Sequence, residues 1–175
     1  MNRIALLTTT VAALGLSACA TTADTSRTLG TADMFDASGK SIGTARLTER
    51  GGSVMLTLDA SNLAPGEHGL HLHAVGKCEA PGFTSAGPHL NPTSRAHGMH
   101  NPAGAHLGDL PNLMVGSAGT GTATATLQGA ADTLLPSIFD QDGTAIVVHA
   151  GPDDYMTDPA GNSGSRIACG VFKPA

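Results

Sequence analysis

Short runs of two-residue alternation, cut apart by glycine and proline, limit this chain more than any other feature of its sequence. From Ser53 to Ala60, Val54, Leu56 and Leu58 point one way while Ser53, Thr57 and Asp59 point the other. Successive side chains of a strand lie on opposite faces, so the run predicts a strand with one face buried and one wet. Thr122 to Leu127 alternates in the same way, and Ala145 to His149 and Arg166 to Phe172 read as more fully buried strands. Ser38-Gly39 and Gly51-Gly52 mark hairpin turns between the early strands. The 23 glycines and 10 prolines suit many turns. Helix is scarce, with one turn expected over Thr133 to Phe139. The fold class that follows is all-β, an antiparallel sandwich or flattened barrel.

The N-terminus reads as an address. Arg3 supplies a positive start, Ile4 to Gly15 an apolar stretch, and Leu16-Ser17-Ala18-Cys19 a small-residue cleavage region. The apolar stretch is too short to span a bilayer. Leu16 to Cys19 is similar to a bacterial lipoprotein box, which makes Cys19 the lipidated N-terminus; an ordinary signal peptide with an incidental cysteine is the alternative. Residues 1–18 are thus expected to be a signal peptide, 19–28 a lipid-anchored tether, and 29–175 one domain. The expected location is the periplasm or cell envelope, with a membrane anchor. Two cysteines remain, Cys78 and Cys169, in a chain that leaves the reducing cytosol. They are expected to pair, two free buried thiols being the alternative.

Once Arg3 is removed, eight Lys and Arg face fourteen Asp and Glu, a formal charge of −6 with histidines neutral. That balance argues against nucleic acid as a partner. The absence of Trp, with a single Tyr, argues against an aromatic stacking platform. A small ligand is favoured.

Two stretches break the strand rhythm, Val75 to Pro111 and Ala150 to Ser165, both rich in turn residues. Loops of that length in a compact domain need something to order them. All eight histidines lie between residues 68 and 149. His71-Leu72-His73 stands at a strand end, where period two puts both rings on one face roughly 6 to 7 Å apart, a spacing that fits one metal. Alone, such a pair could equally be two surface histidines. The first long loop adds His89, His97, His106 and Asp109. Three imidazoles and a carboxylate form a closed set suited to zinc. An all-imidazole set from His71, His73 and the distant His149 suits copper better.

Six ordered motifs then give a resemblance over nearly the whole chain after the signal. They are Gly69-Leu70-His71-Leu72-His73, Ser85-Ala86-Gly87-Pro88-His89-Leu90-Asn91-Pro92, His97-Gly98, His106-Leu107-Gly108-Asp109-Leu110, Val147-Val148-His149 and Gly164-Ser165-Arg166-Ile167-Ala168-Cys169-Gly170-Val171. The chain resembles the copper/zinc superoxide dismutase family. The resemblance implies a Greek-key antiparallel β-sandwich of about eight strands with two long functional loops, and dismutation of superoxide to dioxygen and hydrogen peroxide. It implies copper held by His71, His73, His89 and His149, and zinc held by His89, His97, His106 and Asp109. His89 then bridges both metals as an imidazolate and acts as the acid, taking up a proton and returning it to the departing peroxide. Arg166 matches the family's arginine that guides the anion, a role its fixed charge and forked donors suit.

The resemblance also implies an aspartate that links a copper histidine to a zinc histidine. Asp153 is favoured, although Asp154 could fill the role. His68 reads as a hydrogen-bonded structural histidine, and His100 as an exposed loop residue. The loop after His149 is short and lacks the charges that steer substrate in animal enzymes, leaving Lys77 or Arg95 as other sources of positive potential. Family members assemble differently, a homodimer among the forms. The rival reading is a non-catalytic copper/zinc binding or storage protein on the same fold.

Overall fold

A computed structural model describes residues 26–175. The expected signal peptide, Cys19 and most of the tether lie outside the described residues. The tether's last two residues, Arg27 and Thr28, belong to the first strand.

The alternating run at Ser53–Ala60 forms strand β3, following β1 (Arg27–Asp36) and β2 (Ser41–Arg50). All three pair antiparallel in sequence order, through turns at Gly39 and at Gly51 and Gly52. These glycines hold positive φ, which only a residue without Cβ adopts at little cost. β4 (Gly66–His68) and β5 (Leu70–His73) are almost continuous, with only Gly69 between them. Beyond the first loop come β6 (Leu113–Val115) and β7 (Gly121–Ala130), then α1 (Ala131–Ile138), β8 (Ala145–His149), β9 (Arg166–Val171) and β10 (Lys173–Pro174).

The large sheet runs β5-β8-β9-β1-β2-β3-β7, and β10 pairs with β1. Neighbours far apart in sequence, β3 with β7 and β9 with β1, require the long connections of a Greek key. The small β4–β6 pair packs beside β7 and leads directly into β5, at the two edges of the curled sheet. The fold is the expected flattened antiparallel sandwich.

Two details differ from the sequence reading. The helix spans eight residues and starts at Ala131, two positions before the expected single turn. It buries Ala131, Leu134 and Ile138 at helical spacing, while Pro136 hides this by suggesting a break. β4 and β6, three residues each, are too short to show alternation.

The faces of β5 and β8 separate core from site. Leu70, Leu72, Ile146 and Val148 point inward to the main core with Leu47, Leu56 and Leu58. Ala145, Val147 and Cys169 point outward into a second apolar cluster that the first loop covers with Phe83 and Ala86. His71, His73 and His149 alternate onto that outward face. They sit on rigid strands under a lid of loop, which excludes water without placing the rings in the main core.

Leu56 is fully buried in the main core, far in sequence from the histidines. Leu56→Ala is expected to lower unfolding free energy by about 2–5 kcal/mol, read from urea titration of the oxidised protein. A loss under about 1 kcal/mol, the effect of an ordinary surface change, contradicts its place in the core.

Candidate metal centre

Strand register assembles the first half of the site. In β5 and β8, His71 lies opposite Val147 and His73 opposite Ala145. A bulge after Val148 sets His149 beside Arg166 of β9. The first loop then lays two short segments against the edge of β5. Leu72 N–H donates to the Gly108 carbonyl, and Leu90 N–H donates to the Leu72 carbonyl, at 2.9 and 2.8 Å. These bonds bring His89 and Asp109 against the strand histidines, with bridges between His73 and His89 and between His71 and Asp109.

Each ring is held by one nitrogen, and among the described residues the other has no partner. His71 Nε2–H donates to Asp153 Oδ2 at 2.7 Å, His73 Nδ1–H to the Gly87 carbonyl at 2.9 Å, and His149 Nδ1–H to the Gly164 carbonyl at 3.1 Å. Their free atoms are His71 Nδ1, His73 Nε2 and His149 Nε2, and His89 Nε2 is a fourth. All four residues are buried, and each offers an atom within 4.8 Å of the others. A buried nitrogen lone pair without a partner is costly, and a cation accepted by four of them removes that cost. The donor set is all imidazole, which suits copper.

The opposite nitrogen of His89 belongs to a second cluster. The Nδ1 atoms of His89 and His97 lie 3.0 Å from Asp109 Oδ1, and that of His106 lies 3.2 Å away. His106 Nδ1 is 3.4 Å from His89 Nδ1. Four donors at the corners of a tetrahedron about 2.0–2.1 Å from zinc would be roughly 3.3–3.4 Å apart. The observed edges are close to that size. Asp109 Oδ2 is already occupied by the backbone N–H groups of Gly98 and His106, at 2.8 and 2.9 Å, so Oδ1 alone faces the rings. The four groups fit a bound zinc ion, and His89 is the one residue common to both sets.

Burial pushes His73 down to about 2, His149 to about 3 and His89 to about 4. For His149, nearby His71 adds to the effect. All three are therefore neutral at pH 7, and His73 and His149 keep their proton on the outward nitrogen. Burial raises the Asp153 carboxyl, but hydrogen bonds from His71 and His97 outweigh it and hold the group at about 2. Asp109 is likewise held below the usual carboxylate range, burial being outweighed by His89 and the Gly98 N–H.

Asp153 is buried and joins the two clusters, with Oδ2 on His71 Nε2 and Oδ1 3.0 Å from His97 Nε2. Asp154 is exposed and instead caps its own turn through Met156, Thr157 and Asn162. His68 is buried between the carbonyls of Ala64 and His149, and His100 is exposed. Arg166 donates from both terminal nitrogens, to the carbonyls of Phe83 and Gly87, at 2.7 Å each. Cys78 and Cys169 form a disulfide that ties the same loop to β9.

The copper/zinc superoxide dismutase family profile matches residues 41–172. The chain belongs to the copper/zinc superoxide dismutase family. It is 44% identical over 147 residues to superoxide dismutase [Cu-Zn] 1 of Aquifex aeolicus, covering 81% of this chain and 86% of that protein. It is 42% identical over 141 residues to the superoxide dismutase [Cu-Zn] of Caulobacter vibrioides, covering 77% and 80%. Among solved structures, a superoxide dismutase-like protein from Bacillus subtilis superposes with a TM-score of 0.75 at 37% identity, covering 83% of this chain and 99% of that one. The Cu/Zn superoxide dismutase from Brucella abortus gives 0.65 at 29% identity, covering 85% and 100%.

Several contacts were not legible in the family motifs. Asp158 Oδ1 accepts from the backbone N–H of His97 at 2.6 Å, fixing that residue from the second loop. Gly161, at φ 60°, lies so close to the link between the clusters that a Cβ would fall 1.7 Å from Asp153 Oδ1. The loop's run of Asp and Gly signalled turns, but nothing in it said which of them face the histidines.

Stability without metal should fall in acid. In an unfolded chain these imidazoles take up protons near pH 6.5, whereas the folded values of His73, His149 and His89 lie at about 2, 3 and 4. Below about pH 6.5 the unfolded state binds more protons, so stability drops as pH falls. The carboxylates of Asp109 and Asp153, held low, add to the loss only below their unfolded value near 3.9. The urea midpoint of the metal-free protein is expected to be lower at pH 5 than at pH 7.5. Equal midpoints contradict neutral, buried rings.

Proposed function

We propose that this protein dismutes superoxide at a copper ion held by His71 Nδ1 and by the Nε2 atoms of His73, His89 and His149, beside a zinc ion held by the Nδ1 atoms of His89, His97 and His106 and by Asp109. The observation that carries the reading is His89, whose Nδ1 faces Asp109 while its buried Nε2 has no partner among the described residues. Copper supplies the one-electron acceptor and donor, and zinc a fixed, redox-silent charge. The chain's residues do the rest. When it is not holding copper, His89 Nε2 would carry a proton taken from solvent and pass it to the departing peroxide, and Nδ1 is kept on the zinc side by the fixed position of Asp109.

Arg166 lines a cleft of about 500 Å³ with Pro81, Gly82, Thr84, Gly164 and Ser165. Among the described residues no carboxylate lines it, and the Gly164 carbonyl that borders it accepts from His149. A cleft of about 560 Å³ reaches His89 and His106 from another side, but Asp140 and Asp142 line it. An anion is repelled there and drawn to Arg166. With both terminal nitrogens anchored on carbonyls, the guanidinium is a fixed positive end-point that binds superoxide and orients it toward the His149 edge of the site. The protein's net negative charge then matters less than this local field.

The same proposal places the enzyme in the periplasm or cell envelope. Residues 1–18 would be removed and Cys19 lipidated to anchor the domain, 29–175, to a membrane. The charged start, the short apolar stretch and the small-residue box before Cys19 support this. So does the disulfide, a bond suited to an oxidising compartment. A homodimer, one of the family's assemblies, is part of the same proposal, and the mass of the replete protein in solution tests it.

Metal analysis paired with a dismutation assay on replete protein tests the reaction. One copper and one zinc per chain, a tetragonal copper(II) spectrum and rapid dismutation are expected. Copper bound without activity would support storage instead. Arg166→Ala is expected to slow turnover about tenfold or more and flatten its dependence on salt while both metals stay bound. Unchanged kinetics would remove the guiding role.

A further inference from the structure

The residues that hold Asp153 form a closed set outside both donor clusters. Asn112, three residues beyond Asp109, grips the backbone of Asp153 with its side chain. Asp153 N–H donates to Asn112 Oδ1 at 2.9 Å, and Asn112 Nδ2 donates to the Asp153 carbonyl at 3.0 Å. The carboxamide thus stands in for a strand neighbour. Backbone N–H of Asn112 donates to the Tyr155 hydroxyl at 2.7 Å, and Tyr155 N–H donates to Asp153 Oδ1 at 2.7 Å. Four hydrogen bonds therefore close a ring through three residues on two loops.

Tyr155 also reaches the zinc side. Its carbonyl accepts from His100 N–H at 3.0 Å, and Gly98 packs so close that a Cβ would lie 2.1 Å from that oxygen. Gly98 itself donates to Asp109 Oδ2. Tyr155 holds a left-handed backbone, φ 60°, which is uncommon for a residue with a ring and persists where surrounding bonds determine it. This sequence has one tyrosine. Its hydroxyl and its backbone N–H and carbonyl are all engaged around one carboxylate and its neighbours.

We propose that Asn112 and Tyr155 are positioning residues that aim the Asp153 carboxylate at His71 and His97 together, so that the two metal clusters respond to one clamp that binds neither metal. Asp153 must point one oxygen at a ring on β5 and the other at a ring on the first loop, 2.7 and 3.0 Å away. A carboxylate on a long loop is free to rotate unless its backbone and one oxygen are fixed. Asn112 fixes the backbone, and Tyr155 N–H fixes Oδ1. Releasing either lets Asp153 turn from His97, which loosens His97 toward Asp109 and lets His71 Nδ1 swing. This inference rests on the donor sets proposed above.

The test uses the full-length, metal-replete protein and three variants, Tyr155→Phe, Asn112→Asp and Asp153→Asn. Tyr155→Phe removes the hydroxyl that ties the Tyr155 ring to the Asn112 N–H and so loosens the Tyr155 backbone that bonds Oδ1, while Asn112→Asp replaces the amide that donates to the Asp153 carbonyl with a charged acceptor. Two readouts separate positioning from mere folding: zinc retention against a chelator, and the electron paramagnetic resonance spectrum of copper(II). In Tyr155→Phe and Asn112→Asp, zinc affinity is expected to fall about tenfold or more, the range for partners of metal-bound histidines. The copper spectrum is expected to shift in the same variants, and Asp153→Asn is expected to reproduce both changes. If Asp153→Asn moves both readouts while Tyr155→Phe and Asn112→Asp move neither, the clamp is overturned and the donor sets stand. A loss of thermal stability with zinc retention and spectrum unchanged overturns it equally. If the parent protein does not bind one copper and one zinc, the donor sets themselves fail and take the clamp with them.

Discussion

The structure depends on a buried imidazole that satisfies only one of its two nitrogens within the protein. His89 Nδ1 meets Asp109, and Nε2 meets no partner among the described residues. In an apolar interior an unpaired polar atom costs about 1–3 kcal/mol, so four converging nitrogens without partners are a concentrated deficit. The rest of the architecture keeps that deficit in place. β5 and β8 fix three of the rings by pleat and register, and the main core behind them holds those strands still. The first loop covers the rings and adds the fourth. A site this preformed resists collapse when a charge is gained or lost within it, as one-electron chemistry on a small radical demands.

Arrangement of the outward nitrogens matters as much as that of the inward ones. His73 and His149 spend their protons on carbonyls, and His71 on a carboxylate. That choice sets the tautomer of each ring and directs its lone pair to a common point. The Gly87 carbonyl receives both His73 and Arg166, so one backbone atom fixes a ring of the all-imidazole cluster and the cation beside it. The disulfide from Cys169 reaches the same loop through Cys78. Arg166 and the ring of His73 are therefore held by shared backbone and do not move independently.

Much of this could be read from the residues. The alternation of Val54, Leu56 and Leu58 marked a strand face, and the hairpin glycines marked its neighbours, because pleat and positive φ leave direct traces in residue type. His71 and His73 shared a face by period alone, and His89, His97, His106 and Asp109 stood out as a zinc-type set by residue type, while the sharing of His89 between the two sets came from the family motifs. What could not be read follows a common rule. Anchors supplied by backbone, such as the carbonyls of Phe83, Gly87 and Gly164, leave no trace in residue identity. Contacts between loops, such as Asp158 with His97 or Asn112 with Asp153, depend on how two irregular segments meet. Local pattern cannot report that. The helix at Ala131 was underread because Pro136 near its end masked three correctly spaced apolar residues.

The proposed reaction requires that two unlike cations share His89 through its two nitrogens. Anomalous diffraction from crystals of the replete protein, collected on either side of the copper and zinc absorption edges, measures this directly. The result expected is a copper peak beside Nε2 and a separate zinc peak beside Nδ1 of that ring. A single peak, or two peaks of which neither lies within bonding distance of His89, would contradict it.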